Sequence, residues 1–301
     1  MRAPALFLCG SVLVSAMTAE AKLRVVTTTQ DPAALTRAVG GDRVTVLSLC
    51  KGFQDPHFLD PKPSYMLELN KADLVESIGL ELEVGYLPTL VSGARNDEIH
   101  PGRPGYLDLS QFVTPTEVAG TADRGLGDVR PSGNPHYWLD PENGRRMARG
   151  IAARLTQLDP DGKDSYAKNL AAFETALTAK EADWDKRMAP LKGEKIVTFH
   201  KSWSYFADRY HLDVVGQVEP KPGIPPSPSH TLELIKLMQA QHVKLIALEN
   251  FYDRRVPDLI GEKTGAKVVF VPVSVGGEEG VDAYADLFER IIKHFESAGK
   301  L

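Results

Sequence analysis

The sequence predicts an α/β protein: two lobes with parallel sheets flanked by helices, joined by one long rigid helix. Three observations carry this expectation. Short β-rich runs alternate with helical stretches in both halves of the chain, a rhythm that builds βα units and parallel sheets. Between the halves one helical face continues for roughly 26 residues. Removal of an N-terminal leader from the 301 residues leaves about 280, more than one core usually holds.

In the first half, residues 23–28, 44–49 and 74–78 read as strands, and 33–39 and 64–71 have helical character. In the second half, 195–199, 213–218, 244–248 and 267–271 read as strands. The segments between them, 202–210, 231–241 and 256–264, are long enough for right-handed helical crossovers. Tyr166, Leu170, Phe173, Leu177, Trp184 and Met188 fall on one helical face. That helix is expected to start near the Asp159-Pro160-Asp161-Gly162 turn and to stop before Pro190, a rod of ~39 Å at 1.5 Å per residue. It should brace both lobes, because the strand-rich flanks offer no helical partners for a bundle. Segments 119–135 and 219–229, rich in Gly, Asp or Pro, read as loops. The second is expected to form a stiff wall, with Ser229 capping the helix after it. The division is a signal peptide at 1–21, an N-terminal lobe at 22–158, a linking helix at 159–190 and a C-terminal lobe at 191–301.

The leader has a charged Met1-Arg2, an apolar stretch over 3–17 and the small-x-small site Ala19-Glu20-Ala21. The mature chain is expected to begin at Lys22 as a soluble, exported protein. Cys9 follows bulky Phe7 and Leu8 inside the apolar stretch, so lipid attachment there is not expected. Cys50 is then the remaining thiol, which excludes an intramolecular disulfide and leaves stability to packing. The net charge of −5 comes from scattered Lys and Arg outnumbered by Asp and Glu, which gives no nucleic-acid footprint.

Chemistry concentrates at three histidines. His57 follows Asp55-Pro56, His136 follows Asn134-Pro135, and His200 closes the 195–199 strand, where ligands bind in open α/β sheets. Each proline fixes its own φ and keeps the preceding residue extended, which positions the following ring. The contexts His57-Phe58-Leu59-Asp60-Pro61 and His136-Tyr137-Trp138-Leu139-Asp140-Pro141 are parallel, as if forming two edges of one site. Asp60 and Asp140 are candidates for orienting the imidazoles or for capping helices. Glu249, ending an apolar run at another strand's carboxyl end, is the expected fourth ligand. Imidazole is the commonest ligand for first-row transition ions, and three from separate elements leave room for a carboxylate or water. His211, His242 and His294 read as surface residues, His100 as a loop residue, and His230 adjoins the proline-rich wall.

Taken together, Asp55-Pro56-His57, the block from Pro135 to Pro141, the long helix and the block Phe199-His200-Lys201-Ser202-Trp203-Ser204-Tyr205-Phe206-Ala207 resemble the periplasmic solute-binding proteins of zinc and manganese ABC transporters, the ZnuA-like group. The resemblance covers nearly the whole mature chain. It implies two α/β lobes joined by a rigid helix, one ion in the cleft held by His57, His136 and His200, an inner-membrane ABC permease as partner, and a monomer. This chain departs from the pattern twice. The loop after the last strand carries no carboxylate at the expected position, leaving Glu278, Glu279, Glu249 or water for the fourth site; and the loop before Gly133 has no histidines. Because manganese-binding relatives tend to use a carboxylate third, His200 favours Zn²⁺ over Mn²⁺, with copper and nickel not excluded by ligand type. The expected function is zinc capture and delivery, without enzymatic activity. Two other readings stay open: a mononuclear zinc hydrolase with Glu249 as general base, although the sequence has no His-Glu-x-x-His motif, and a metal-stabilised adhesin.

Overall fold

The structure is a computed structural model that describes residues 22–118, 131–221 and 223–299. The leader with Cys9, and most of the 119–135 segment, lie outside the described residues. Among the described residues no helix is long and apolar enough to cross a membrane.

Two four-stranded parallel sheets form the lobes. In the first, β1 (Leu23–Thr27), β2 (Val44–Ser48), β3 (Leu74–Ser77) and β4 (Tyr106–Asp108) are ordered β2-β1-β3-β4. In the second, β5 (Lys195–Thr198), β6 (Asp213–Gln217), β7 (Leu245–Glu249) and β8 (Lys267–Val271) are ordered β6-β5-β7-β8, so the second lobe repeats the first. Helices α1 (Gln30–Gly40), α2 (Pro63–Asn70) and α3 (Leu87–Gly93) belong to the first lobe, and α6 (Ser204–Tyr210), α7 (Pro228–Gln241) and α8 (Arg255–Thr264) to the second. With helices covering both faces, a central strand such as β3 is buried at every residue, including Glu76. Burial pushes the Glu76 carboxyl up to about 8, opposed by a hydrogen bond from the Thr36 hydroxyl at 2.6 Å.

The linking helix α5 spans Lys163–Met188, 26 residues. Tyr166, Leu177, Trp184 and Met188 on its predicted face are fully buried, and Leu170 and Phe173 pack against the same core. Its surroundings correct the sequence reading. It packs on α1, on α4 (Pro141–Leu158) and on α9 (Tyr284–Gly299), so helical partners are present on both sides. Trp184 stacks on Phe288 of α9 at 5.4 Å, and the Arg187 guanidinium bridges Glu289 and Glu296 of the same helix.

Helix α4 buries Met147, Ile151 and Leu155 at every fourth position, with Ala148 and Ala152 beside them, and glycines complete its packing. A Cβ at Gly144 would lie 2.2 Å from the Tyr284 ring, and one at Gly150 would lie 2.1 Å from the Phe112 ring. These close approaches explain glycines inside a helix that they would otherwise weaken. Asp140 caps α4, accepting from Glu142 N at 3.0 Å, with Pro141 in the first turn. Helix α7 is capped by Ser227 rather than Ser229: its hydroxyl accepts from His230 N, and Pro228 occupies the first turn.

Each lobe was expected to have its own core. Small lobe-private clusters exist, one around Leu49, Leu69 and Leu90 and one around Val218, Ile246 and Ile260. The largest cluster, however, runs continuously from Leu35 and Leu107 through Trp184 to Phe206 and Phe295, so the lobes share most of their buried apolar surface.

Candidate metal centre

The three histidines leave irregular backbone at the carboxyl ends of the strands. His57 lies between β2 and α2, His136 precedes the short turn Tyr137–Leu139, and His200 directly follows β5. The fold brings the rings into a nearly equilateral triangle with centroid separations of 5.1, 5.1 and 5.2 Å. One ring nitrogen from each lies within 4.8 Å of those of the other two. Tetrahedral zinc with bonds of 2.0–2.1 Å needs ligand nitrogens about 3.3 Å apart, so the rings would turn inward to share an ion and leave its fourth position to another donor. All three side chains are buried, and the triangle spans both lobes.

A polar group fixes each ring. His57 Nδ1 donates to Asp55 Oδ1 at 2.6 Å, His136 Nδ1 to Asn134 Oδ1 at 2.9 Å, and His200 Nδ1 to Glu219 Oε2 at 2.6 Å. Asp55 Oδ1 and Asn134 Oδ1 each also accept the backbone N–H of the histidine two residues on, at 3.0 Å. The Asx-Pro-His tripeptide is therefore a closed unit: the proline holds the turn and the Asx oxygen locks backbone and ring together. With Nδ1 donating, the tautomer presents Nε2 as the lone-pair nitrogen, the arrangement that second-sphere acceptors impose on metal-binding imidazoles. Sequence reading offered Asp60 and Asp140 either for this role or for helix capping. Asp140 takes the second, capping α4, and Asp60 is exposed. For His57 and His136 the signal that would have found the acceptors is the residue two before the histidine. Glu219, 19 residues beyond His200, had no local signal.

Glu249 ends β7 fully buried, but its carboxylate does not join the imidazole group within that distance. Its Oε1 accepts the Trp203 indole N–H at 3.1 Å. Burial pushes the Glu249 carboxyl up to about 7, opposed chiefly by the neighbouring His200. Burial alone would also raise Asp55, yet the hydrogen bonds and charge of His57 hold it below its ordinary value. Tyr252, stacked on Phe199 at 4.4 Å, has its phenol pushed well up by burial and by the nearby Asp55, Glu249 and Glu219. The three imidazoles thus sit among acidic groups, a field that favours a cation.

Glu278 is tied to α9, paired with Arg290 and, at 2.9 Å, with His294 Nε2. In the same loop Ser274 Oγ and Val275 N both donate to Asp31 of α1, at 2.6 and 3.0 Å. His230 Nε2 lies 3.0 Å from Gln217 O, and exposed His211 and His242 take left-handed positions ending α6 and α7.

The model of the family "zinc-uptake complex component A, periplasmic" (ZnuA) matches residues 25–298. The chain belongs to the ZnuA family. Among curated relatives, the metal ABC transporter substrate-binding lipoprotein ScbA of Streptococcus cristatus is 29% identical over 301 residues, covering 97% of this chain and 94% of the relative. The manganese ABC transporter substrate-binding lipoprotein PsaA of Streptococcus pneumoniae is 28% identical, with 93% and 90% covered. A crystal structure of ZnuA superposes with a TM-score of 0.79 at 27% identity, over 92% of this chain and 99% of that one. FpvC from Pseudomonas aeruginosa, solved with Mn²⁺, shares the fold with a TM-score of 0.78 at 22% identity, over 93% and 98%. As a ZnuA-family member the chain is a metal-binding substrate-binding component of an ABC transporter. The hydrolase reading gains no support from this family.

Proposed function

We propose that this ZnuA-family protein captures Zn²⁺ between its lobes and passes it, as a monomer in the periplasm, to an inner-membrane ABC permease. The observation that carries the reading is the triangle of His57, His136 and His200, each ring anchored through Nδ1. Three imidazoles suit zinc better than manganese, whose preferred donors are carboxylate, carbonyl and water oxygens. Relatives named for manganese make that preference the point to test.

For the fourth position we favour water over Glu249, because the carboxylate of the latter, although only Oε1 is engaged by Trp203, stands outside the imidazole group. Its negative charge still stabilises the ion from nearby. Calorimetric titration of the demetallated protein with Zn²⁺ and Mn²⁺ tests the reading: zinc should bind one to one and more tightly, and His200→Ala should remove most of that affinity. Equal or tighter manganese binding would overturn the selectivity. Maturation at Lys22, rather than a lipid on Cys9 as the relatives' lipoprotein names suggest, is checked by the mass of the exported protein.

A further inference from the structure

A second cavity of about 370 Å³ opens in the N-terminal lobe beyond the carboxyl ends of β3 and β4, and none of the three clustered histidines lines it. Its volume lies within the range of small-molecule sites, and its position, outside the carboxyl ends of parallel strands, is where α/β sheets bind ligands. Leu80, Val84, Leu87 and Val91 make one wall apolar, with Val84 66% exposed at the rim.

The remaining lining carries three carboxylates and no lysine or arginine. Those of Glu83 are occupied by the Thr28 hydroxyl at 2.6 Å and by the backbone N–H groups of Ile78 and Gly79 at 2.7 and 3.1 Å. Glu81 and Asp108 are left for a ligand to meet. Each has one oxygen already hydrogen-bonded to protein, Glu81 by the Ser132 hydroxyl and Asp108 by the Ser110 N–H and hydroxyl. The wall that presents Glu81 is unusual backbone: Gly79, Leu80 and Glu81 take consecutive φ values of 78°, 49° and 63°, a left-handed run that residues with a Cβ adopt at a cost.

A cavity lined by apolar side chains together with two carboxylates selects a ligand with an apolar body and a positive charge and repels anions. We infer that this cavity is a second ligand site, separate from the imidazole triangle, for small organic cations with an apolar body, such as primary arylalkylamines.

Benzylamine and its neutral isostere benzyl alcohol provide the test, titrated into the mature protein with and without zinc and followed by amide NMR shifts and calorimetry. Benzylamine should saturate, shift amides in residues 79–92, and bind about tenfold or more tightly than the alcohol, as expected for a charge-assisted hydrogen bond. Glu81→Gln should erase most of that difference. Val84→Trp, at an exposed position that tolerates bulk, should block the cavity and abolish binding while leaving the zinc titration unchanged. Retention of benzylamine binding in His136→Ala would support a site that stands independently of the metal-capture reading. Absence of saturation, equal binding of the alcohol, or loss of binding in His136→Ala would each overturn the proposal.

Discussion

Glu219→Gln isolates the orientation of one imidazole from its presence. Glu219 is buried and uses both oxygens as acceptors, Oε2 for His200 Nδ1 at 2.6 Å and Oε1 for Gly223 N at 2.6 Å. Glutamine has a single acceptor oxygen, so its NH₂ must face either the ring N–H or the backbone N–H, donor against donor. If it faces the ring, His200 rotates or changes tautomer; if it faces Gly223, the proline-rich segment loses its anchor. Removal of such an outer partner typically costs 10–100-fold in metal affinity, about 1.4–2.7 kcal/mol. His200→Ala removes a donor atom and should cost more. Competition between the protein and a chromogenic zinc chelator at fixed pH measures both variants, and thermal unfolding of the metal-free proteins checks that they fold. Unchanged affinity in a folded Glu219→Gln would refute the argument, since the ring would then not depend on its partner. A loss equal to that of His200→Ala would also refute it.

Metal-free stability should fall as pH rises from about 4.5 to 8 in thermal scans. Burial lifts the folded pKa of Asp31 and Glu83 to about 7 and of Glu76 to about 8, so the folded state keeps protons that the unfolded chain releases near pH 4–5. Each such group contributes up to about 1.4 kcal/mol per pH unit within its window, and a melting temperature that rises across it would contradict the assignment. Zinc affinity should change in the opposite direction, because protons compete for imidazole. Gly144→Ala should destabilise by about 1–3 kcal/mol through overpacking, read as a shift in denaturant midpoint, since its new Cβ meets the Tyr284 ring at 2.2 Å. Glu278→Gln with Glu279→Gln should leave zinc affinity unchanged in calorimetry, because Glu278 is held by Arg290 and His294. Glu249→Gln should weaken it less than His200→Ala but measurably, and a crippled loop variant would instead move the fourth ligand to that loop.

Local pattern made much of this protein legible. The strands of the second sheet follow from β-rich runs with turn punctuation, and α5 follows from the spacing of six apolar side chains. The three histidines stood out because proline and a strand end position them before any tertiary contact forms. What stayed hidden depends on contacts distant in sequence. Helix α4 shows an apolar face at Met147, Ile151 and Leu155, but the purpose of its Gly144 and Gly150 appears only when Tyr284 and Phe112 pack on them. Glu219 becomes an imidazole partner because parallel pairing of β5 with β6 carries it beside His200. Glu249 was placed at the correct strand end, but periodicity could not reveal that Trp203 would take one of its two oxygens.

The shared core changes how the pair of lobes should be understood as a capture device. A helix linking two independent cores could serve as a hinge, with the interface parting at the expense of surface polar contacts. Here the largest apolar cluster is continuous through α5, and buried Asp31 spends both carboxylate oxygens on Ser274 and Val275 of the other lobe. At Gly52 the two lobes approach so closely that a Cβ would lie 2.0 Å from the Val275 carbonyl oxygen. Parting the lobes would therefore expose apolar core and strand a buried acid, each costing kcal/mol that a single ion must supply. The 134–136 turn shares that restraint, because the Asn134 amide donates to Lys201 O at 2.8 Å and the Tyr205 hydroxyl donates to Asn134 O at 2.8 Å across the lobes. The 55–57 turn lies outside the sheets and α5 and its Asx lock is local, so a ring adjustment there would cost less than parting the lobes.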